Sequence, residues 1–154
     1  RSTERGWGDR WTHFTQDEQI ALMTLWCLFR SPLMVGAELN DNDEFTLNLL
    51  TNDEVLALLS ESRNARQVYR EERYNYAGEV IVWQAENEQG ETYCAVFNCG
   101  PKARKLSVQL SSALGLEGAY TGRDLWAHEE IPVGRALEVE VPSHGARLVK
   151  LTKK

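Results

Sequence analysis

From Thr15 to Gly36 the chain is apolar with few interruptions. Ile20, Ala21, Leu22, Met23, Leu25, Trp26, Cys27, Leu28 and Phe29 cover nearly all sides of a helical wheel, so the helix they predict is packed on several faces instead of along one stripe. Thr15-Gln16-Asp17-Glu18 has the spacing of a capping box, in which a threonine hydroxyl and a glutamate carboxylate satisfy two otherwise unpaired amides at a helix start. Arg30-Ser31-Pro32 ends the helix, because proline disfavours helical geometry in the residue before it. The apolar run Leu33-Met34-Val35-Gly36 then reads as a short buried strand. Burying the large side chains of the helix contributes on the order of 10 to 20 kcal/mol before chain entropy offsets it, more than a surface helix requires.

A second helix is predicted after Asn42 or Asp43, either of which can cap it, with Phe45, Leu47, Leu49 and Leu50 as its apolar residues. Thr51-Asn52-Asp53-Glu54 repeats the capping-box spacing ahead of Val55, Leu56, Leu58 and Leu59. From about Gln67 the apolar period drops to two, which places a boundary near Ser60 to Ala65. Leu137, Val139 and Val141 alternate with Glu138 and Glu140, and Leu106, Val108 and Leu110 with Ser107 and Gln109, as strands with one wet face do. Val80 to Trp83 and Tyr93 to Phe97 are apolar on both faces, as central strands are, and pair through a hairpin at Asn87-Glu88-Gln89-Gly90. Gln67 to Arg70, Ala119 to Thr121 and Arg147 to Leu151 complete a set of short antiparallel strands, with turns at Gly100-Pro101 and Ser143-His144-Gly145. The pattern is helix, strand, helix, helix, followed by an all-β antiparallel sandwich. The sandwich is expected to be the autonomous folding unit, with Gly78 to Lys150 resisting proteolysis longest.

Composition narrows the function classes. The chain has 154 residues, 17 basic against 23 acidic, for a net charge of -6. Its Lys and Arg are scattered, so no nucleic-acid partner is expected. No apolar run reaches the roughly 18 residues of a membrane span, and no membrane partner is expected either. No signal peptide is visible; the chain begins at Arg1 without a methionine, and its true N-terminus is expected to lie upstream. Three cysteines, an odd number, argue against a secreted disulfide framework and favour a reducing compartment such as the cytoplasm. Cys27, Cys94 and Cys99 read as structural, and with His128 and His144 in separate turns neither a metal site nor a cofactor is expected.

Several short motifs stand in order along the chain: Thr12-His13-Phe14, Ser31-Pro32-Leu33-Met34-Val35-Gly36, Leu50-Thr51-Asn52-Asp53-Glu54-Val55, Arg123-Asp124-Leu125-Trp126 with His128, and His144-Gly145. With them the chain resembles the melibiase-type glycoside hydrolases, the family of α-galactosidases and α-N-acetylgalactosaminidases. The resemblance implies a mixed fold in which residues 1–63 are the terminal helix-strand-helix piece of a (β/α)8 barrel and residues 64–154 the C-terminal antiparallel β-sandwich. Where members of that family commonly continue with Asn-Gln-Asp-Pro, this chain has Leu59-Ser60-Glu61-Ser62, a local departure at the turn. The resemblance also implies a parent enzyme that cleaves terminal α-linked galactose or N-acetylgalactosamine with retention, through one aspartate as nucleophile and another as acid/base. Both family aspartate motifs are expected N-terminal to Arg1, so no catalytic residue is assigned and the chain alone is expected to be inactive.

Retaining hydrolysis requires two carboxyls about 5 to 5.5 Å apart, presented from the ends of different barrel strands. Only one such strand is predicted, and Glu38 is the carboxylate its C-terminal end would present. The segment before the long helix carries Trp7, Asp9, Arg10 and Trp11, residue types suited to stacking on and hydrogen bonding a sugar, and the resemblance puts it beside the substrate. These five are the substrate-proximal candidates, with carbohydrate as the partner of the intact enzyme. His128 and His144 are assigned hydrogen-bonding structural roles, and Trp83 a place in the core. Two other readings compete: a free-standing carbohydrate-binding sandwich, which leaves the apolar helix unexplained, and a structural or interaction module. Taken alone, the chain is expected to self-associate through Leu22, Trp26, Phe29 and Met34, to fold its helices back over the sandwich, or to remain bound to the missing barrel.

Overall fold

A computed structural model of the chain describes residues 2–3, 9–36, 38–71 and 80–154. Two short strands, β1 (Ser2–Thr3) and β2 (Asp9–Arg10), pair antiparallel ahead of helix α1 (Gln16–Leu28). The capping box at Thr15 forms in full: Glu18 N donates to Thr15 Oγ1 at 3.2 Å, and Thr15 N to Glu18 Oε2 at 2.7 Å. Beyond Phe29, Arg30 takes φ 53° and reverses the chain. A 3-10 turn (Leu39–Asp41) leads to α2 (Glu44–Leu50), capped by Asp43, then α3 (Asp53–Leu56) and α4 (Leu58–Glu61).

The β region contains β3 (Arg63–Arg70), β4 (Val80–Glu86), β5 (Thr92–Asn98), β6 (Arg104–Gln109), α5 (Leu110–Leu114), β7 (Tyr120–Asp124), β8 (Glu129–Ile131), β9 (Ala136–Val141) and β10 (Ala146–Lys153). A six-stranded antiparallel sheet has the order β3-β4-β5-β10-β7-β8, and β6 and β9 form a separate pair. The expected hairpin is present, with Val80 opposite Asn98, Trp83 opposite Ala95 and Gly90 at φ 80° in its loop. In the β9–β10 turn the positive φ falls on His144 instead of Gly145. Gly145 is required for closeness: a Cβ there would lie 2.6 Å from Pro142 Cγ.

Alternation along the central strands sorts side chains into two cores. Tyr93, Ala95 and Phe97 of β5, with Ala146 and Leu148 of β10, pack with Met23, Cys27, Leu28, Leu49, Val55 and Leu58 of the helices. Cys94, Val96, Val149 and Leu151 face the other way, onto Val108, Leu137 and Val141 of the β6–β9 pair and Leu110 and Leu114 of α5. The six-stranded sheet is therefore a middle layer, with helices on one face and the small sheet on the other. The predicted sandwich is present, but its larger sheet depends on the helices to cover an entire apolar face.

Two local expectations are corrected. Leu33–Gly36 belongs to no sheet, and Met34 and Val35 are 87% and 43% exposed, because a buried strand needs a ladder partner and the described residues supply none. The second capping box does not form. Asn52 caps α3, accepting from Val55 N at 3.1 Å, while Thr51 Oγ1 turns back to Leu47 O at 2.7 Å and Glu54 is engaged elsewhere.

Burial also sets the cysteine chemistry. Desolvation pushes the Cys27 thiol up to about 11 and the Cys94 thiol to about 12, whereas Cys99 is exposed. Brief alkylation of native protein is expected to label Cys99 alone and, after unfolding, all three cysteines, with peptide mass mapping as the check.

Candidate functional site

The five candidate residues fall in two segments at the start and after the end of α1. Trp7 lies outside the described residues. The backbones of Asp9 and Arg10 pair with Thr3 and Ser2, which holds the approach to α1 as a hairpin. Trp11 is 55% exposed. Glu38 is also exposed and accepts a hydrogen bond from Asn40 Nδ2 at 3.4 Å. Neither Trp11 nor Glu38 lines either of the two clefts described below. Among the described residues no group of His, Cys, Asp and Glu is placed to hold a metal ion, and no helix is long and apolar enough to cross a membrane.

Where side chains do converge is at the junction of the helices with the six-stranded sheet. Glu54, on α3, receives Arg123 from β7 in a two-point ion pair, Nε to Oε2 at 2.6 Å and Nη2 to Oε1 at 2.7 Å. His128 Nδ1 lies 2.7 Å from the same Oε1, and Glu130 of β8 lies 3.4 Å from Arg123 Nη1. The hydrogen bonds from Arg123, aided by the one from His128, outweigh burial and hold the Glu54 carboxyl at about 2 instead of 4.5. Glu54 in turn raises the Arg123 guanidinium, so the pair stays ionised.

Around this pair the two motifs interlock residue by residue. Asn52 Nδ2 donates to Leu125 O at 2.9 Å while its Oδ1 caps α3. Asp124 Oδ1 accepts from the amides of Trp126 and Ala127 at 2.9 and 3.1 Å, which sets the turn. That turn carries Trp126 Nε1 to Thr24 Oγ1 of α1 at 2.8 Å, and the Thr24 hydroxyl donates onward to Ile20 O at 2.7 Å. His128 sits at φ 57°, the conformation that brings its ring back toward α3. The motif Thr51–Val55 and the motif Arg123–His128 are thus two halves of one clamp joining helices to sheet. Both motifs were visible in the sequence; their pairing was not, because nothing local ties a helix glutamate to an arginine some seventy residues away.

The arrangement can hold two layers in register, and it contains no paired carboxyls facing an open cleft. Beside it, Asp53, Glu54, Glu61, Tyr93 and Lys150 border a shallow cleft of about 260 Å³. A wider depression of about 660 Å³ lies where α1 ends against the start of β3, between Phe29, Arg30 and Ser62 to Ala65. On the outward side of α1, Leu22, Trp26 and Phe29 remain 44%, 39% and 48% exposed, which with Met34 leaves an apolar strip on the surface.

Comparison with known proteins agrees with this architecture. Residues 77–151 match the family described as "Alpha galactosidase C-terminal beta sandwich domain". α-Galactosidase D of Emericella nidulans is 30% identical over 144 residues, covering 90% of this chain and 21% of that protein. α-Galactosidase 2 of Arabidopsis thaliana is 25% identical over 145 residues, covering 91% of this chain and 35% of that protein. Among solved structures, a GH27 β-L-arabinopyranosidase from Geobacillus stearothermophilus superposes with a TM-score of 0.84 at 45% identity, over 97% of this chain and 33% of that one. An α-galactosidase from Saccharomyces cerevisiae shares the fold, with a TM-score of 0.79 at 18% identity. The chain therefore spans between about a fifth and just under half of the length of these relatives. In sequence and fold alike, it carries the C-terminal β-sandwich domain of the melibiase-type glycoside hydrolases, and its similarity to them extends over nearly all of its length.

Proposed function

We propose that this chain is the C-terminal part of a retaining glycoside hydrolase acting on terminal galactose-configured sugars, and that it has no catalysis of its own. The observation that carries the reading is the 45% identity over 97% of the chain with a GH27 glycosidase whose own chain is about three times as long. In this reading residues 1–63 close a (β/α)8 barrel and residues 64–154 form the appended sandwich. The exposed strip of Leu22, Trp26, Phe29 and Met34 is the surface the barrel covers, and the ladder partners that Leu33–Val35 lacks here belong to neighbouring barrel strands. Trp7, Asp9, Arg10, Trp11 and Glu38 then border the substrate. Retention requires two carboxyls contributed by the rest of the enzyme.

The test compares purified 154-residue chain with the longer product of its reading frame on an aryl α-D-galactoside. The chain alone is expected to give no turnover, and the longer product to be active. Turnover by the chain alone, unaffected by Glu38→Gln, would sink the reading. One observation favours a second substrate: the 45% identical structure is named for β-L-arabinopyranose, a sugar with the ring configuration of α-D-galactose but no hydroxymethyl group. Assaying an aryl β-L-arabinopyranoside in parallel decides between them through the ratio of kcat/KM values.

The same uncovered strip makes self-association the expected state of the isolated chain, most simply as a symmetric dimer. Light scattering at low micromolar concentration is expected to show a dimer that Trp26→Glu returns to monomer. A monomeric wild type would remove this part of the proposal.

A further inference from the structure

The buried residues of α1 are Met23, Thr24, Cys27 and Leu28, and Thr24 is the hydroxyl among them. A β-branched residue is a weak helix former, and a hydroxyl with no exposed surface has to be hydrogen-bonded. Thr24 meets that demand twice over: Trp126 Nε1 donates to its Oγ1 at 2.8 Å, and the hydroxyl donates to Ile20 O at 2.7 Å. Apolar attraction has no direction, so Met23, Cys27 and Leu28 hold α1 on the sheet without selecting its place along the helix axis. A hydrogen bond does select, because it is lost once donor and acceptor separate beyond about 3.5 Å. The Trp126–Thr24 bond therefore sets where α1 lies along its axis and which way it is turned.

Both ends of this bond are held. On the sandwich side, Leu125 N donates to Leu148 O of β10 at 2.9 Å, Leu125 O accepts from Asn52, and Trp126 N donates to Asp124 Oδ1. On the helix side, α1 runs back from Thr24 about 14 Å to the capping box at Thr15. Gln19 Nε2 of its first turn donates to Phe14 O at 3.2 Å, and Phe14 N donates to Thr12 Oγ1 at 3.2 Å. The segment that carries Asp9, Arg10 and Trp11 is thus tied to the start of α1 and follows it. We infer that Trp126 and Thr24 are positioning residues for the substrate: through one hydrogen bond the sandwich fixes α1, and through α1 it fixes the segment that borders the sugar. The inference rests on the hydrolase reading above, which puts Asp9, Arg10 and Trp11 beside the substrate, and it gives the sandwich a part in binding without contact.

The experiment measures kcat and KM for the longer product of the reading frame, on whichever aryl α-D-galactoside or β-L-arabinopyranoside it hydrolyses. Thr24→Val removes the hydroxyl at nearly constant shape, and Trp126→Phe removes the N–H. Each is expected to raise KM about five- to tenfold while kcat changes less than about twofold, the pattern of lost binding with the chemistry intact. The double variant is expected to match the worse single one, since both remove the same bond. Thr24→Ser restores the hydroxyl and is expected to bring KM back to within about twofold of wild type. Leu137→Ala, at a buried position in the core on the other face of the sheet, lowers stability without touching α1 and is expected to leave KM unchanged. Should Trp126→Phe fail to fold, Thr24→Val and its serine rescue still decide. Folded Thr24→Val with an unchanged KM, no rescue by serine, or an equal rise in KM in Leu137→Ala would each overturn the inference while leaving an active wild type and the hydrolase reading in place. An inactive longer wild type would remove that reading and this inference together.

Discussion

Leu28→Ala is expected to cost about 2 to 5 kcal/mol and to move the unfolding of helices and sheet together. Leu28 is 1% exposed and belongs to the core that α1 shares with Tyr93, Ala95 and Phe97 of β5 and Ala146 and Leu148 of β10. Truncation leaves a cavity where helix and sheet meet, and neither layer can close it alone. Against a total stability of roughly 5 to 15 kcal/mol for a domain of this kind, the loss is a large fraction. The expected measurement is a single denaturant transition, coincident in far-UV circular dichroism and tryptophan fluorescence, that shifts as one in the variant. Amides of α1 and β5 should likewise exchange with similar free energies. Loss of helical signal while the strands stay protected, with the sheet transition unmoved by Leu28→Ala, would restore the sandwich as an independent unit. That independence was the expectation from strand alternation alone. The shared core argues against it, because bare Tyr93, Phe97 and Leu148 would face water once the helices left.

Glu54→Gln is expected to lower the melting temperature by several degrees at neutral pH and to flatten the acid side of the stability profile. The carboxyl has a folded-state value of about 2 against 4.5 for the ordinary group, so it favours the folded state wherever it is ionised in the unfolded chain. That stability is fully present above about 4.5 and is lost progressively as pH falls toward 2. The gap corresponds to at most roughly 3 kcal/mol, and because the Glu54 side chain is 29% exposed, screening by water reduces it to about 2 kcal/mol. The variant also leaves Arg123 without its two-point partner. Thermal melts of wild type and variant between pH 7 and 2 check this: the difference should be largest at pH 7 and shrink steadily below about 5. Equal melting temperatures at pH 7, or a difference that ignores pH, would show that the clamp contributes nothing to stability.

Where a feature depended on near neighbours in the chain, the amino-acid sequence was sufficient. The capping box at Thr15, the cap at Asp43, the hairpin at Gly90 with its positive φ and the alternation of β6 and β9 all follow from interactions within a few residues. The central position of Tyr93–Phe97 was legible for a related reason: a strand apolar on both faces has to be covered on both. The ordered short motifs identified the family before any contact was known.

Tertiary structure alone decided where equivalent local options went. Thr51–Glu54 has the spacing of a capping box as surely as Thr15–Glu18 does, yet Asn52 caps that helix. The reason is energetic: a bidentate arginine and a histidine offer the Glu54 carboxylate more than one backbone amide can, and both arrive from distant β7 and its following turn. Leu33–Val35 failed as a strand for the complementary reason, since apolar composition creates a demand for burial but only a neighbouring strand can meet the hydrogen-bonding demand of the backbone. The sequence by itself thus determined caps and turns made between near neighbours, the antiparallel β-sandwich, and kinship. Which face of the sheet the helices cover and which glutamate meets which arginine were set only by packing, because each depends on contacts whose partners lie tens of residues apart and whose energies exist only once the chain has closed.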